Sequence, residues 1–286
     1  MKIIKYIFEF IFITTFFFIF KIIGFKNASN LGEIIGKKFG PFFRTNSKII
    51  DNLEKSNIGF SQEDRKKIID NMWGNYGRIL SEYMFLRQFR NNNLNHFLEI
   101  RGLNFLEEIK KNNEQAIFIS GHFNNFELMA MEIEKAGINL SAIYRPLNNP
   151  FLNIIMERLR KKYICKNQIK KGIKGVKDSI KFIDNDHSIA LMIDQRVSEG
   201  IKIKFFRDEA LTTTLPAQLA LKYNLKIVPI FIERKNINNF KMKVFNPIDI
   251  SGFNNKLEIT KKLNHILEEM ITKNPNQWIW THDRWK

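Results

Sequence analysis

The 286-residue sequence contains one cysteine, Cys165, so it cannot form an intrachain disulfide. A single thiol is compatible with a reducing compartment. Cys165 could be a nucleophile because it lies in a basic stretch, but no histidine is near it in sequence, so we predict a packed, inert thiol. His96, His187 and His265 are scattered and lack the spacing of zinc ligands, and we predict no metal site.

Nucleotide-binding signatures are missing too. The sequence has neither a Gly-x-x-x-x-Gly-Lys-Ser/Thr loop nor a Gly-x-Gly-x-x-Gly motif, so nothing supports a nucleotide cofactor, and we expect no cofactor. Internal repeats and low-complexity linkers are also absent. A chain of this length can bury one large core, which favours a single folded domain.

Acidic residues are few: 29 Asp and Glu stand against 46 Lys and Arg, for a net charge of +17. Such a charge favours an anionic partner, which could be an acidic lipid, a phosphorylated substrate, an acidic protein or nucleic acid. Residues 157–181 hold ten basic side chains but only two acidic ones, Glu157 and Asp178. This stretch is either a solvated helix face or a docking surface for an acidic protein, lipid phosphates or the membrane.

The longest apolar stretch is at the N-terminus, where residues 10–20 carry no charge and the apolar pattern extends over 3–25. No small-x-small cleavage site follows it, so an uncleaved membrane anchor is favoured over a signal peptide. We therefore predict an anchor helix over 1–26 and an enzymatic domain over 27–286. The basic residues are more numerous after the anchor, which places the body on the cytoplasmic side. The pattern leaves open whether the helix spans the bilayer or lies partly embedded.

The rest of the chain changes from helical to alternating patterns. Residues 30–98 have helical spacing, and strands predicted over 116–120, 140–144 and 188–193 alternate with helices over 124–135 and 150–163. This order predicts an α/β domain with a mixed, mainly parallel sheet flanked by helices. Ligands bind where such strands end. His122, Arg145 and the Asp194-Gln195-Arg196 run each follow a predicted strand, so we expect them to share a site.

His122 is the strongest candidate for a catalytic group. It follows a buried strand directly, and Glu127 comes five positions later in the predicted helix. We predict that Glu127 orients His122, which then acts as a general base towards an acceptor hydroxyl. In the alternative interpretation, His122 caps the helix and Glu127 is an ordinary acid of the first turn.

Other polar residues near these strand ends have two interpretations each. Asn124 and Asn125, or the backbone amides around them, could stabilise an oxyanion or could simply cap the helix. Arg145 could bind phosphate or carboxylate, or form a surface salt bridge. Asp194 and Gln195 could orient the substrate or brace the site.

These residues belong to a series of segments that resembles a known family, the bacterial lipid A biosynthesis acyltransferases that transfer lauroyl and myristoyl groups. The resemblance covers nearly the whole chain. Besides the N-terminal anchor, it is carried by Ser-Gly-His-Phe-Asn-Asn-Phe-Glu at 120–127, Tyr-Arg-Pro at 144–146, Asp-Gln at 194–195, Ala-Leu-Thr-Thr-Thr at 210–214, Val-Pro at 228–229 and the Trp-rich block at 275–285. The His-x4-acid motif alone is common to many acyltransferases, whereas its combination with the final block is more specific.

The resemblance implies a glycerolipid-acyltransferase-like fold and transfer of a fatty acyl group from acyl carrier protein to a hydroxyl of an anionic lipid A precursor. It also implies an inner-membrane enzyme with its site facing the cytoplasm and without a metal. By the same resemblance His122 is the general base and Glu127 its acidic partner. The residues implied in substrate binding are Asn125, Arg145, Asp194, Gln195, Thr213 and Arg284, and the last two could instead be structural.

Three functions remain as alternatives at this point. The first is lipid A acylation, with either acyl carrier protein or coenzyme A as donor. The second is acylation of another membrane lipid, such as a lysophospholipid or an aminolipid. The third is a membrane-tethered nucleic-acid-binding protein, motivated by the charge; because the basic residues form no recognisable module with stacking aromatics, we expect no nucleic-acid partner.

Overall fold

The computed structural model describes residues 2–286. Its N-terminal third is helical, as the sequence predicts, and contains α1 (Lys2–Ile23), α2 (Phe25–Phe39), α3 (Asn46–Ser56), α4 (Gln62–Glu82) and α5 (Leu86–Arg90). The remaining helices are α6 (Leu103–Lys111), α7 (Glu127–Lys135), α8 (Pro150–Leu159), α9 (Ile173–Ile183), α10 (Leu215–Tyr223) and α11 (Lys256–Lys273).

Nine strands are interleaved with these later helices in the described part of the chain. They are β1 (Leu98–Arg101), β2 (Ala116–Ser120), β3 (Leu140–Tyr144), β4 (Asn167–Lys170), β5 (Ser188–Met192), β6 (Ile201–Phe205), β7 (Asp208–Thr212), β8 (Lys226–Arg234) and β9 (Phe240–Val244). Seven of them form one sheet in the order β1-β9-β8-β2-β5-β3-β4, and β6 and β7 form a separate antiparallel hairpin.

The main sheet is mixed and mostly parallel, which confirms the predicted fold class. Strands β8, β2, β5, β3 and β4 run in one direction, while β9 pairs antiparallel with β8 and parallel with β1. The central strands β2 and β8 are almost entirely buried and apolar, as expected for a sheet covered on both faces. All five parallel strands therefore end at one edge of the sheet, and the candidate site lies there.

Two predicted helix bounds differ from the structure near this edge. The helix predicted over 124–135 begins only at Glu127, because Asn124 has a left-handed backbone with φ of 43° and interrupts helical geometry. The helix predicted over 150–163 ends at Leu159 and continues as a π-helical turn, Arg160–Ile164. Short π-helical segments occur often at functional sites, and this one carries Arg160 towards Glu127.

Helices α2 and α4 pack closely because small residues face each other. A Cβ atom built on Gly77 would lie 1.8 Å from the carbonyl oxygen of Gly32, and one on Gly36 would lie 2.2 Å from the carbonyl oxygen of Trp73. Only hydrogen fits at these positions, so the backbones approach each other directly. The same spacing of small residues brings helices together in membrane proteins.

We expect Gly77→Ala to destabilise the protein by about 3 kcal/mol, because the new methyl group would overlap backbone atoms that cannot move independently. Thermal unfolding in detergent micelles measures the effect. Gly252→Ala is the matched control, since a Cβ there meets no atom within 4 Å. Equal melting temperatures for the two variants would contradict the close packing of α2 and α4.

Helix α1 is long and apolar enough to cross a membrane, with a mean hydropathy of 2.0. It also packs along the body. Phe17 and Phe20 are buried in the common core, and the side-chain amide of Asn149, just before α8, donates hydrogen bonds to the Tyr6 carbonyl oxygen (2.9 Å) and to Glu9 (3.1 Å). The helix is thus held against the body over most of its length.

Candidate active site

His122 and Asp194 lie side by side because they follow neighbouring strands in register. Ser120 at the end of β2 is paired with Met192 at the end of β5, and the Ile193 amide donates to the Ser120 carbonyl oxygen at 2.9 Å. Two residues further along each strand come His122 and Asp194. The predicted convergence of these two positions at one sheet edge is confirmed.

A direct hydrogen bond joins the two side chains. His122 Nδ1 lies 2.7 Å from Asp194 Oδ1, and the His122 amide donates to Asp194 Oδ2 at 2.8 Å. An ionised carboxylate only accepts, so Nδ1 carries a proton, and in the neutral form of the ring Nε2 holds the lone pair. The imidazole side chain is 21% exposed while Asp194 is fully buried. The geometry therefore leaves the imidazole partly open to solvent and holds its orienting acid inside.

Asp194 stays ionised despite its complete burial. Burial alone would raise the pKa of this carboxyl, but attraction to His122 and hydrogen bonds from His122 and Trp278 outweigh burial and hold the pKa below its usual value. The indole Nε1 of Trp278 donates to Oδ2 at 2.9 Å. Three N–H groups therefore converge on Asp194 and fix its position.

The prediction that Glu127 orients His122 is wrong. No ion pair or hydrogen bond joins these two side chains, both of which lie in the described part of the chain. Glu127 is buried at the first turn of α7, where it accepts hydrogen bonds from Arg160 Nη2 (2.6 Å) and Nε (2.9 Å). The hydroxyl of Tyr83 donates to the same oxygen of Glu127.

The guanidinium group explains why Glu127 turns away from the imidazole. A buried carboxylate requires a charged partner, and Arg160 supplies two N–H donors to one oxygen. Burial, and then the charge of Glu127, raise the pKa of Tyr83 well above its usual value, so its hydroxyl remains a donor. Phe126 packs edge-on against His122, with ring centroids 4.9 Å apart. Glu127 therefore fixes the neighbouring wall of the site.

The side-chain amide groups of Asn124 and Asn125 donate to other protein groups, whereas Oδ1 of Asn125 is buried without a hydrogen-bond partner among the described residues. The Asn125 side-chain amide donates to Glu82 Oε2 at 2.9 Å, and that of Asn124 donates to Gln277 Oε1 at 2.8 Å. Both residues are almost completely buried. The Asn125 amide group is thus used in a protein contact, and its assignment to substrate binding stays a prediction. The backbone amides of residues 122–126 also donate to protein acceptors.

A buried charge pair supports this turn, and the sequence analysis missed it. Glu82, at the end of α4, is fully buried and lies 2.8 Å from Arg234 Nη2, at the end of β8. Glu82 also accepts hydrogen bonds from Asn125 and from the Ser29 hydroxyl (2.7 Å). The pair thus connects helices α2 and α4 and the sheet to the turn that carries His122. An acid at the end of an amphipathic helix gives no sequence signal for such a role.

The C-terminal block braces the same turn from the other side. Gln277 accepts from the Asn124 side chain and exchanges hydrogen bonds with the Arg234 backbone, at 2.7 and 2.9 Å. Its carbonyl oxygen accepts from the Asn124 amide at 3.1 Å. Together with the Trp278–Asp194 hydrogen bond, these contacts assign a structural role to part of the Trp-rich block.

The structure does not support substrate contacts for Arg284 and Thr213. Arg284 is fully buried, donates to the Leu211 carbonyl oxygen (2.9 Å) and to Thr212 Oγ1 (2.8 Å), and lies over the Phe205 ring. It attaches the C-terminal block to the β6–β7 hairpin. The hydroxyl of Thr213 accepts from the Leu215 amide at the start of α10. These contacts favour the structural alternative for Arg284, and the assignment of Thr213 to substrate binding stays a prediction.

Arg145 and Gln195 remain near the site. Gln195 is partly buried, and within residues 2–286 its side chain forms no hydrogen bond to protein. Arg145 lines an open cavity of about 500 Å³ together with Arg44, Lys171, Arg196, Val197, Ser198, Glu199, Thr281, His282, Asp283 and Lys286. The walls of this cationic groove come from the ends of β3, β4 and β5 and from the C-terminal block.

Cys165 is fully buried, as predicted for an inert thiol. Its Sγ lies 3.2 Å from the Leu140 carbonyl oxygen and 3.3 Å from that of Asn167. Burial raises the pKa of the thiol to about 12. It is therefore protonated at neutral pH and is a poor nucleophile.

His282, on the groove wall, is expected to make the protein sensitive to acid. Burial and the positive charges of its neighbours lower its pKa from 6.5 to about 4, although Asp194 opposes the shift. Between these values the unfolded chain binds a proton that the folded chain does not, so the free energy of unfolding falls as pH decreases from about 6.5 to about 4. We expect His282→Gln to lose less stability across this window than the parent protein.

Denaturant unfolding at pH 7 and pH 5 measures this difference. His265→Gln is the control, since His265 is largely exposed on α11. An unchanged pH dependence in His282→Gln would show that His282 is not the group responsible.

Comparison with known proteins identifies the family. The model of the family described as bacterial lipid A biosynthesis acyltransferase matches residues 1–286. This chain belongs to that family. The acyltransferase is 24% identical over 266 residues to the Escherichia coli lipid A biosynthesis lauroyltransferase, covering 90% of this chain and 84% of that protein.

Two further relatives agree with this assignment. The lipid A biosynthesis acyltransferase of Haemophilus influenzae is 22% identical over 242 residues, which cover 82% of this chain and 75% of the relative. The lipid A biosynthesis myristoyltransferase of E. coli is 22% identical over 225 residues, which cover 77% of this chain and 68% of that protein. The protein is therefore an enzyme of acyl transfer in lipid A biosynthesis, as its sequence predicts. These relatives and the apolar α1 helix also indicate an association with the membrane.

Proposed function

We propose that this acyltransferase moves a fatty acyl chain from acyl carrier protein to a hydroxyl group of a lipid A precursor, with His122 as general base. The observation that carries the proposal is the 2.7 Å contact between His122 Nδ1 and Asp194, because in the neutral ring it makes Nε2 the nitrogen that can accept a proton. Asp194 takes the orienting role that the sequence analysis gave to Glu127. Glu127 acts by holding Arg160 and Tyr83 beside the site.

The reaction follows from this arrangement. Nε2 accepts the proton of the acceptor hydroxyl while the hydroxyl oxygen attacks the thioester carbonyl carbon. The tetrahedral intermediate collapses, the carbon–sulfur bond breaks, and the thiolate takes the proton from the imidazolium. Asp194 stabilises the transient imidazolium, because its negative charge lies against Nδ1–H throughout.

We also propose the inner membrane as the location, with residues 1–26 as anchor and residues 27–286 as a catalytic domain facing the cytoplasm. The apolar α1 helix and the basic residues that follow it support this orientation. The net charge of +17 suits both an acidic carrier protein and an anionic lipid acceptor. A membrane enzyme with this charge would meet both substrates at the lipid surface.

The function is tested with purified protein, a defined lipid A precursor and a set of acyl donors. We expect a product heavier by one acyl group with acyl carrier protein thioesters, and a lower kcat/KM with coenzyme A thioesters. Lipid extracts of a deletion strain should lack one acyl chain on lipid A. If the deletion strain had unchanged lipid A but altered phospholipids or aminolipids, the acceptor would be one of those membrane lipids and not a lipid A precursor.

A further inference from the structure

The cationic groove has more positive charge than its own structure uses. Five cations line it, namely Arg44, Arg145, Lys171, Arg196 and Lys286, against the two carboxylates Glu199 and Asp283. One of these carboxylates, Asp283, is already paired with Arg44 at 2.6 Å. The excess positive charge lies on the wall of the groove that is formed by the ends of the parallel strands.

Two of these cations are placed side by side by strand register. Tyr144 at the end of β3 is paired with Lys170 at the end of β4, so the next residues, Arg145 and Lys171, leave adjacent strands together. The Lys171 amide donates to the Tyr144 carbonyl oxygen at 2.8 Å and extends the pairing by one residue. Within the described chain, neither side chain forms a salt bridge or a hydrogen bond.

The positive charges of Arg145 and Lys171 repel each other at this exposed edge of the sheet. Desolvation and repulsion from Arg145 lower the pKa of Lys171, although Asp194 and Glu199 oppose the shift. An anion between the two groups would relieve the repulsion and accept hydrogen bonds from both. The groove also adjoins the reactive base, because β3 neighbours β5, which Asp194 follows, and His282 of the groove wall is influenced electrostatically by His122.

We propose that Arg145 and Lys171 form a phosphate-binding subsite that positions a substrate next to His122. This inference rests on the proposed function for the identity of the substrates. A guanidinium fork and an ammonium group together suit the several oxygens of a phosphate. The phosphate could be that of the lipid acceptor or the phosphodiester of the donor's prosthetic arm, and kinetics separate the two.

The test uses the variants Arg145→Gln and Lys171→Gln, with Lys174→Gln as the control because Lys174 is exposed and lies outside the groove. We expect at least a tenfold increase in KM for the substrate that carries the bound phosphate, with little change in KM for the other substrate. If KM for the acceptor is raised in the variants, and the parent and variants have equal KM for a dephosphorylated acceptor, the subsite binds the lipid phosphate. If KM for the acyl donor is raised instead, the subsite binds the phosphodiester of the donor's prosthetic arm.

A binding measurement tests the phosphate subsite without requiring that the enzyme turn over. Titration of the full-length protein with inorganic phosphate or pyrophosphate should show saturable binding that weakens with salt and is lost in both groove variants but not in Lys174→Gln. Equal binding by all variants, or unchanged KM values for both substrates, would overturn the subsite. Failure of lipid A acylation with retained phosphate binding would instead overturn the proposed function.

A second, independent observation concerns the start of α8, which continues the apolar surface of α1. The rings of Phe10 and Phe151 lie 5.9 Å apart, and Asn149 is hydrogen-bonded to the N-terminal half of α1. Beside this contact, Leu147, Phe151 and Ile154 expose 40%, 37% and 51% of their surface. On α1 itself Ile4, Phe8, Ile11, Phe12 and Phe18 are more than half exposed.

We infer that Leu147, Phe151 and Ile154 lie in the lipid bilayer together with α1. A contiguous apolar surface of this kind is unfavourable in water. If α1 is in the membrane, the side chains packed beside its N-terminal half must enter the same apolar layer. The same short segment begins at Arg145, so it also connects the bilayer to the groove.

Site-directed fluorescence tests this second inference. In a Cys165→Ser background, Phe151→Cys or Ile154→Cys is labelled with an environment-sensitive dye, and the full-length protein is placed in vesicles that contain anionic lipid and a chain-attached quencher. Leu257→Cys is the matched control, because Leu257 has a similar exposure of 38% but lies at the start of α11, near the opposite edge of the sheet. We expect strong quenching at 151 and 154 and little at 257. Equal quenching at all three positions would exclude the embedded segment.

Discussion

Replacing His122 by alanine is expected to lower kcat by about 10²- to 10⁴-fold, because the substitution removes the only group in the proposed mechanism that takes the hydroxyl proton. The KM values should change little, since the imidazole contacts the reacting hydroxyl rather than the lipid body. Single-turnover assays with a radiolabelled acyl donor measure the loss. Added imidazole should restore part of the rate, because the alanine side chain leaves room for a free base.

The matched control is His265→Ala on the exposed face of α11, which should retain full activity. Thermal unfolding of both variants shows whether a loss of activity comes from the missing imidazole or from a less stable fold. A His122→Ala protein that is folded and turns over at the parent rate would exclude His122 as the base.

Asp194→Asn is expected to have the second largest effect, about 10²-fold or more on kcat. Asp194 Oδ2 accepts two N–H groups, from the His122 amide and Trp278, whereas Oδ1 faces only His122 Nδ1. An asparagine would keep its single oxygen at the Oδ2 position and direct its NH₂ group at Nδ1. That arrangement forces the imidazole proton onto Nε2, where the base must be free.

The tautomer can be observed directly. In ¹⁵N-histidine-labelled protein, we expect the His122 signals of the parent to show a protonated Nδ1 and those of Asp194→Asn to show a protonated Nε2. Glu127→Gln is the informative comparison: it should weaken the contact with Arg160 and lower activity, but leave the His122 tautomer unchanged. If Glu127→Gln changed the tautomer and Asp194→Asn did not, the orienting role would belong to Glu127.

Local patterns were sufficient to predict the elements that build the site. The buried apolar run of β2 and the polar residues that follow it are contiguous in sequence, and the same holds for β3 and β5. Parallel strands end at a common edge, so the convergence of His122, Arg145 and Asp194 follows from general geometry. Short strands with little apolar character escaped prediction, for example β1 with its alternating and partly exposed pattern.

The identity of the partner of His122 could not be predicted from spacing. Glu127 is five residues away and Asp194 is seventy-two, yet β5 lies directly beside β2. Strand order is decided by packing of the whole sheet, which no local window contains. One sequence feature did indicate Asp194: it lies two residues after the end of β5, just as His122 lies two residues after the end of β2.

Asn125 and Arg284 have protein contacts that their sequence context does not indicate, for a related reason. Both are polar residues in segments that the family resemblance singled out, and such residues suggest contact with substrate. In the structure they satisfy buried groups instead, Glu82 for Asn125 and the β7 backbone for Arg284. A buried polar residue requires partners as strongly as a catalytic one does, so sequence alone does not distinguish the two cases.

The attachment of α1 to the body has a consequence for substrate selection. Contacts at Tyr6 and Glu9 near one end, and at Phe17 and Phe20 near the other, leave no flexible tether between the apolar helix and the fold. If α1 lies in the bilayer as proposed, these contacts set the height of the imidazole above the hydrocarbon layer. An acceptor whose hydroxyl sits deeper or shallower than this level must be displaced from its resting depth before it can react, so the enzyme would discriminate among lipids partly by how far their reactive oxygens protrude.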